Sequence, residues 1–196
     1  MKRVVLIGDS IRMGYQEVVR SELEGWADVW GPEQNGGTSE NVLARLGDWA
    51  IKREPDVLHI NCGLHDLRRE IGQETAAIPL NVYSDNVRTI VTRAKTETDA
   101  IVIWALTTPV NQEWHHKNKP FDRYETDVTT YNTVAADIAR ELGIVVNDLF
   151  ATVISAERDN LLLSDGVHFK PHGYVLLGKQ VAGLIKRIAG ELQKHS

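Results

Sequence analysis

Four short apolar runs, spaced by stretches with helical periodicity, constrain this chain most. "RVVLIG" (3–8), "DVLHIN" (56–61), "AIVIWAL" (100–106) and "IVVNDL" (144–149) are brief and rich in β-branched residues. Continuous apolar runs of that length read as strands covered on both faces, the environment of a parallel sheet. "ADVWG" (27–31) is a weaker fifth strand. Helices are expected over 11–24, 39–51, 80–96 and 123–142, and from Pro171 to about 192. In 123–142, Tyr124, Val128, Tyr131, Ala135, Ile138 and Leu142 recur on one helical face, and Ser39 is read as the cap of 39–51. Strand–helix alternation predicts a three-layer α/β/α sandwich around a parallel sheet of about five strands. The 196 residues suit one domain, 1–196.

Composition narrows the function classes. A net charge of −5 gives no field that gathers nucleic acid or an anionic membrane, so neither is expected as a partner. No stretch approaches the roughly 18 apolar residues of a membrane span. The one cysteine, Cys62, excludes an internal disulfide and fits a reducing compartment. The apolar run after Lys2 and Arg3 is too short for a secretory signal, so the expected location is cytoplasmic unless a signal has been removed.

In parallel α/β sheets, ligands lie beyond the carboxyl ends of the strands. "GDS" (8–10), "NGGTS" (35–39) and "CGLHD" (62–66) fall there. Ser10, at a strand-to-helix junction, is a helix cap or a nucleophile, and caps are the commoner use. A serine nucleophile needs a histidine base, a group that fixes the histidine tautomer, and donors for the oxyanion. "SDGVHF" (164–169) holds Asp165 three residues before His168, close enough for a carboxylate to accept from Nδ1–H in a short turn. Gly36 and Gly37 let backbone N–H groups approach a ligand.

Together these blocks resemble the SGNH hydrolases, the GDSL esterase/lipase family. "GDS" is similar to the family's first block, "NGGTSENVLARL" (35–46) to its glycine block, "CGLHDL" (62–67) to its Gly-x-Asn-Asp block and "DGVHF" (165–169) to its last. The resemblance implies a flavodoxin-like sheet, Ser10 as nucleophile, His168 as base and Asp165 as its orienter. It implies the amides of Ser10 and Gly36, plus a side chain of the third block, as oxyanion donors. The chain departs from the family there: His65 stands where asparagine is expected. A neutral imidazole also donates one N–H, so His65 is expected as a substitute donor. The alternatives are a substrate contact or a site without turnover.

Metal chemistry is not expected. His59, Cys62 and His65 have metal-like spacing, but a strand holds His59 apart from the other two. No cofactor is implied. The stretch 107–125 reads as a long irregular loop at the site's edge, with Trp114 and His115, like Asp9, expected as substrate contacts. The function expected is hydrolysis of short-chain acyl esters, O-acetyl groups on carbohydrate among them. Lysophospholipase or thioesterase activity, and an inactive acyl-ligand binder, are the alternatives; a small acyl ester is the partner, with homo-oligomerisation open.

Overall fold

The computed structural model describes residues 1–192. In chain order its elements begin β1 (Lys2–Ile7), α1 (Ser10–Glu22), β2 (Ala27–Trp30), α2 (Ser39–Trp49), β3 (Val57–Ile60) and β4 (Arg69–Glu70). They continue α3 (Leu80–Thr96), β5 (Ile101–Ala105), α4 (Gln112–Asn118), β6 (Phe121–Asp122) and α5 (Glu125–Glu141). The last are β7 (Val145–Asn147), α6 (Leu149–Ser155), α7 (Arg158–Leu161) and α8 (Pro171–Leu192).

Five strands form one parallel sheet in the order β2-β1-β3-β5-β7. The weak strand at 27–31 is real and forms the edge. α1 and α6 pack on α8 on one face, and α3 packs between α2 and α5 on the other, giving a three-layer α/β/α sandwich. Val4 to Ile7 and the whole of β3 are buried, as strands covered on both faces must be. After β1 the chain builds outward to β2, then returns to place β3 on β1's other side. The crevice beyond the carboxyl ends of β1 and β3 is therefore the topological switch point, where such sheets bind ligands.

Two local expectations change. The side-chain cap of α2 is Thr38, whose Oγ1 accepts from the Asn41 amide, and not Ser39. The stretch 107–125 is not an irregular loop. It holds α4, capped by Asn111, and β6, which pairs antiparallel with β4 in a small ribbon.

His59 illustrates how the sheet treats ionisable groups. It is fully buried in β3, and Asn147 Nδ2 donates to its Nε2 at 3.1 Å, so Nδ1 carries the proton. Burial pushes its pKa down to about 4 from 6.5. Between these values the unfolded chain takes up a proton that the folded chain refuses, so this residue lowers stability as pH falls from 6.5 toward 4. The expected loss is roughly 3 kcal/mol. Asp66 acts oppositely, because burial raises its carboxyl to about 6 and the folded chain then holds the extra proton. The His59 effect is isolated by comparing the native chain with His59→Leu in urea titrations at pH 7.5 and 4.5. The variant should gain roughly 2–3 kcal/mol relative to the native chain on acidification. A stability difference that does not change with pH would show that His59 titrates normally.

Candidate active site

The turn from β1 into α1 prepares Ser10. Asp9 is extended, and its Oδ1 accepts from the Ile11 amide at 2.9 Å, which makes Asp9 the helix cap. Ser10 is then the first helical residue, with its hydroxyl released from capping. Its amide, one of the orphan donors of the first turn, has no acceptor among the described residues. Ser10 Oγ lies 2.9 Å from His168 Nε2.

The partner loop is organised around Asp165. Its Oδ2 accepts from His168 Nδ1 at 2.6 Å, and its Oδ1 accepts from the amides of Val167 and His168 at 3.1 and 2.9 Å. Lys119 Nζ adds an ion pair at 3.3 Å. Partial burial alone would raise the Asp165 pKa. The bonds from the His168 ring and the two amides outweigh it and hold the carboxyl well below its usual range. An ionised Asp165 keeps the proton on His168 Nδ1 and leaves Nε2 as the acceptor facing Ser10.

Helix α4 clamps this loop from behind. The Asn111 amide donates to Gly166 O at 2.8 Å, His115 Nδ1 to Asp165 O at 3.1 Å, and Asn118 Nδ2 to Ser164 O at 2.8 Å. Gly166 has a φ of +71°, and a Cβ there would stand 2.4 Å from Asn111 O. Only glycine permits both the turn and the clamp. His115 is fully buried, its ring edge-on to Phe121, so it holds the loop and is not the substrate contact expected from its position. Asp9, 1% exposed and engaged as a cap, is not a substrate contact either. Trp114 is half-buried, with its Cβ against Gly166.

On the opposite side, the Gly36 amide donates to Gly8 O at 2.9 Å, and a Cβ at Gly36 would lie 2.7 Å from that oxygen. The close approach requires glycine. It also engages the N–H that was expected to face the oxyanion, leaving the Ser10 amide as the unengaged backbone donor of the pair. His65 stands half-buried in the turn after β3. Burial is the main cause that lowers its pKa, opposed by Asp9 and reinforced by Arg123, Arg68 and His168. The ring is therefore neutral near pH 7, with one N–H to donate. Asp66 does not orient it. Its carboxylate accepts from the Ser39 amide at 2.9 and 3.1 Å and ties the third block to the second.

Three further residues belong to the site's architecture. Arg12, 1% exposed on α1, donates to Pro32 O, Gln34 O and Gly8 O at 2.8, 3.1 and 3.5 Å and so pins the loop that carries Gly36. A cation inside the apolar stripe Ile11, Tyr15 and Val19 was the available sign of it. Lys119 and Arg123 reach the site only through the fold, and nothing in their local sequence marks them. Among the described residues no group of three His, Cys, Asp or Glu side chains could hold a metal, and no helix is long and apolar enough to cross a membrane.

The profile of the GDSL-like lipase/acylhydrolase family matches residues 6–176. A GDSL esterase/lipase of Arabidopsis thaliana is 28% identical over 127 residues, 60% of this chain and 47% of that protein. The chain thus spans about half the length of that relative. Among solved structures, a lipase/acylhydrolase from Enterococcus faecalis has a TM-score of 0.79 at 24% identity, covering 95% of this chain and 96% of that one. An acetylxylan esterase from Geobacillus stearothermophilus has a TM-score of 0.74 at 20% identity, covering 96% and 94%. At these identities the likeness is one of fold.

Proposed function

The chain belongs to the GDSL-like lipase/acylhydrolase family, and from that premise we propose that it is a serine esterase of short acyl groups, acetyl foremost. The observation that carries the reading is the unbroken chain Asp165–His168–Ser10, with links of 2.6 and 2.9 Å, at the sheet's switch point. In this reading Ser10 Oγ attacks the ester carbonyl carbon as its proton passes to His168 Nε2. The Ser10 amide and the His65 N–H steady the oxyanion. The C–O bond to the alcohol breaks, and His168 returns its proton to the leaving oxygen. Water, deprotonated by the same Nε2, then releases the acid from Ser10.

A short acyl group draws its support from the acetyl esterases among the solved structures of this fold. A carbohydrate as the alcohol draws its support from the acetylxylan esterases of the same fold. A series of 4-nitrophenyl esters tests the acyl preference. We expect kcat/KM to be greatest for acetate and to fall at least about tenfold by octanoate, since each misfitted methylene costs selectivity. Rates that rise with acyl length would replace this reading with the lipase-like one.

A further inference from the structure

Arg123, between β6 and α5, is 6% exposed. Its Nε donates at 2.6 Å to the carbonyl of Leu64, the residue before His65. Its guanidinium carbon is 5.0 Å from the centre of the Phe121 ring, and Arg68 covers the same ring at 3.9 Å. Neighbouring arginines have carboxylate partners: Arg68 pairs with Glu70 at 2.5 Å and Arg69 with Asp127 at 2.7 Å. Arg123 has none among the described residues.

A buried cation is normally matched by a carboxylate or by a full set of acceptors. Arg12, the other arginine buried at this end of the sheet, has both terminal nitrogens engaged, by three carbonyls and Gln16 Oε1, and leaves only its Nε without a partner. Arg123 satisfies neither condition. Its two terminal nitrogens have no acceptor among the described residues, yet they are not sealed from solvent as the Nε atoms of Arg12, Arg68 and Arg69 are. Through Leu64 the guanidinium is held beside His65. Arg123 contributes to lowering the His65 pKa, and Arg123 itself feels the carboxylates of Asp9 and Asp165. Neither carboxylate makes a direct ion pair with it: Asp9 Oδ1 caps α1 and its Oδ2 is buried without a partner, and Asp165 is engaged by His168 and Lys119. Burial pulls the Arg123 pKa down to about 10, which still leaves a cation near pH 7.

We propose that Arg123 receives a carboxylate carried by the substrate close to its scissile ester, so that the enzyme selects esters of acidic molecules. The inference rests on the ester-hydrolase reading of the same site. A planar guanidinium with unengaged terminal nitrogens matches the two oxygens of a carboxylate, and a largely dehydrated cation binds one more strongly than a surface lysine does. The carboxylate belongs to the acyl part, as in a succinate half-ester, or to the alcohol part, as in an acetylated hydroxy acid.

Paired substrates separate these. 4-Nitrophenyl hemisuccinate and 3-acetoxybenzoate are each compared with their methyl esters, with 4-nitrophenyl acetate as the neutral reference. At least one acid should be preferred over its methyl ester by about tenfold or more in kcat/KM, mainly through KM. The preference should shrink as salt is raised, persist in part in Arg123→Lys, and fall to about one in Arg123→Gln. Equal rates within both pairs, or an unchanged ratio in Arg123→Gln, would overturn the proposal. If Arg123→Gln does not fold, the salt dependence of the native enzyme and the lysine variant decide. Hydrolysis of 4-nitrophenyl acetate reports separately on the esterase reading. Were that absent, titration calorimetry of the Ser10→Ala protein with 3-acetoxybenzoate, hemisuccinate and their methyl esters still tests Arg123 without turnover. Tighter binding of an acid, lost in the Ser10→Ala/Arg123→Gln double variant, supports it, and equal binding within both pairs refutes it.

Discussion

Ser10→Ala should lower ester hydrolysis by at least about a thousandfold while leaving the fold intact. The two halves of this expectation come from one geometric fact. Asp9, and not Ser10, caps α1, so removing the hydroxyl deprives no helix amide of its acceptor. Loss of a capping side chain typically costs about 1 kcal/mol, whereas a substitution away from such features stays within about 0.5 kcal/mol. The hydroxyl's hydrogen-bond partner is His168 Nε2 at 2.9 Å, and in the proposed mechanism that bond serves the chemistry. Urea titration and 4-nitrophenyl acetate kinetics on the same preparation read both effects. A variant destabilised by a full cap's worth with activity retained would return Ser10 to a structural role.

The second large effect is expected at His65. His65→Ala should cost about a hundred- to a thousandfold in kcat with little change in KM, the pattern of an interaction made in the transition state. His65→Asn should recover most of that loss, because an amide restores one N–H at the same turn. Two observations motivate the size of the effect. The Gly36 amide, expected as a second backbone donor to the oxyanion, already donates to Gly8 O, and the neutral state of His65 near pH 7 supplies a donor without adding a positive charge beside His168. Equal and full activity in both variants would remove His65 from the mechanism. An asparagine variant as poor as alanine, with a raised KM in both, would make His65 a substrate contact.

What the chain's sequence discloses, and what it conceals, follows from the range of the interactions involved. β-Branched runs and helical stripes are local signals, so the four strong strands, the helix at 80–96 and the α/β/α class were legible. α4 and the two-residue strands β4 and β6 are too short to show a period, and 107–125 read as loop for that reason. Thr38 and Ser39 are adjacent hydroxyl residues of similar capping preference, and only backbone geometry decides between them. In the site, residue types were readable where chemistry demands them: serine, histidine and aspartate at Ser10, His168 and Asp165. The partner of a backbone N–H was not, which is why Gly36 passed for a free donor. Burial also escaped, and with it the difference between the half-buried Trp114 and the fully buried His115. Lys119 and Arg123 approach Asp165 and His65 across folded elements, and no local pattern announces such contacts.

In the proposed mechanism His168 and Asp165 make Ser10 nucleophilic. Incubating the folded protein with a 4-nitrophenyl alkylphosphonate and mapping the adduct by peptide mass spectrometry tests it most directly. One adduct per chain is expected, on Ser10, formed at least about a hundredfold more slowly in His168→Ala. A native protein that hydrolyses 4-nitrophenyl acetate while Ser10 stays unmodified, or an adduct rate indifferent to His168, would contradict it.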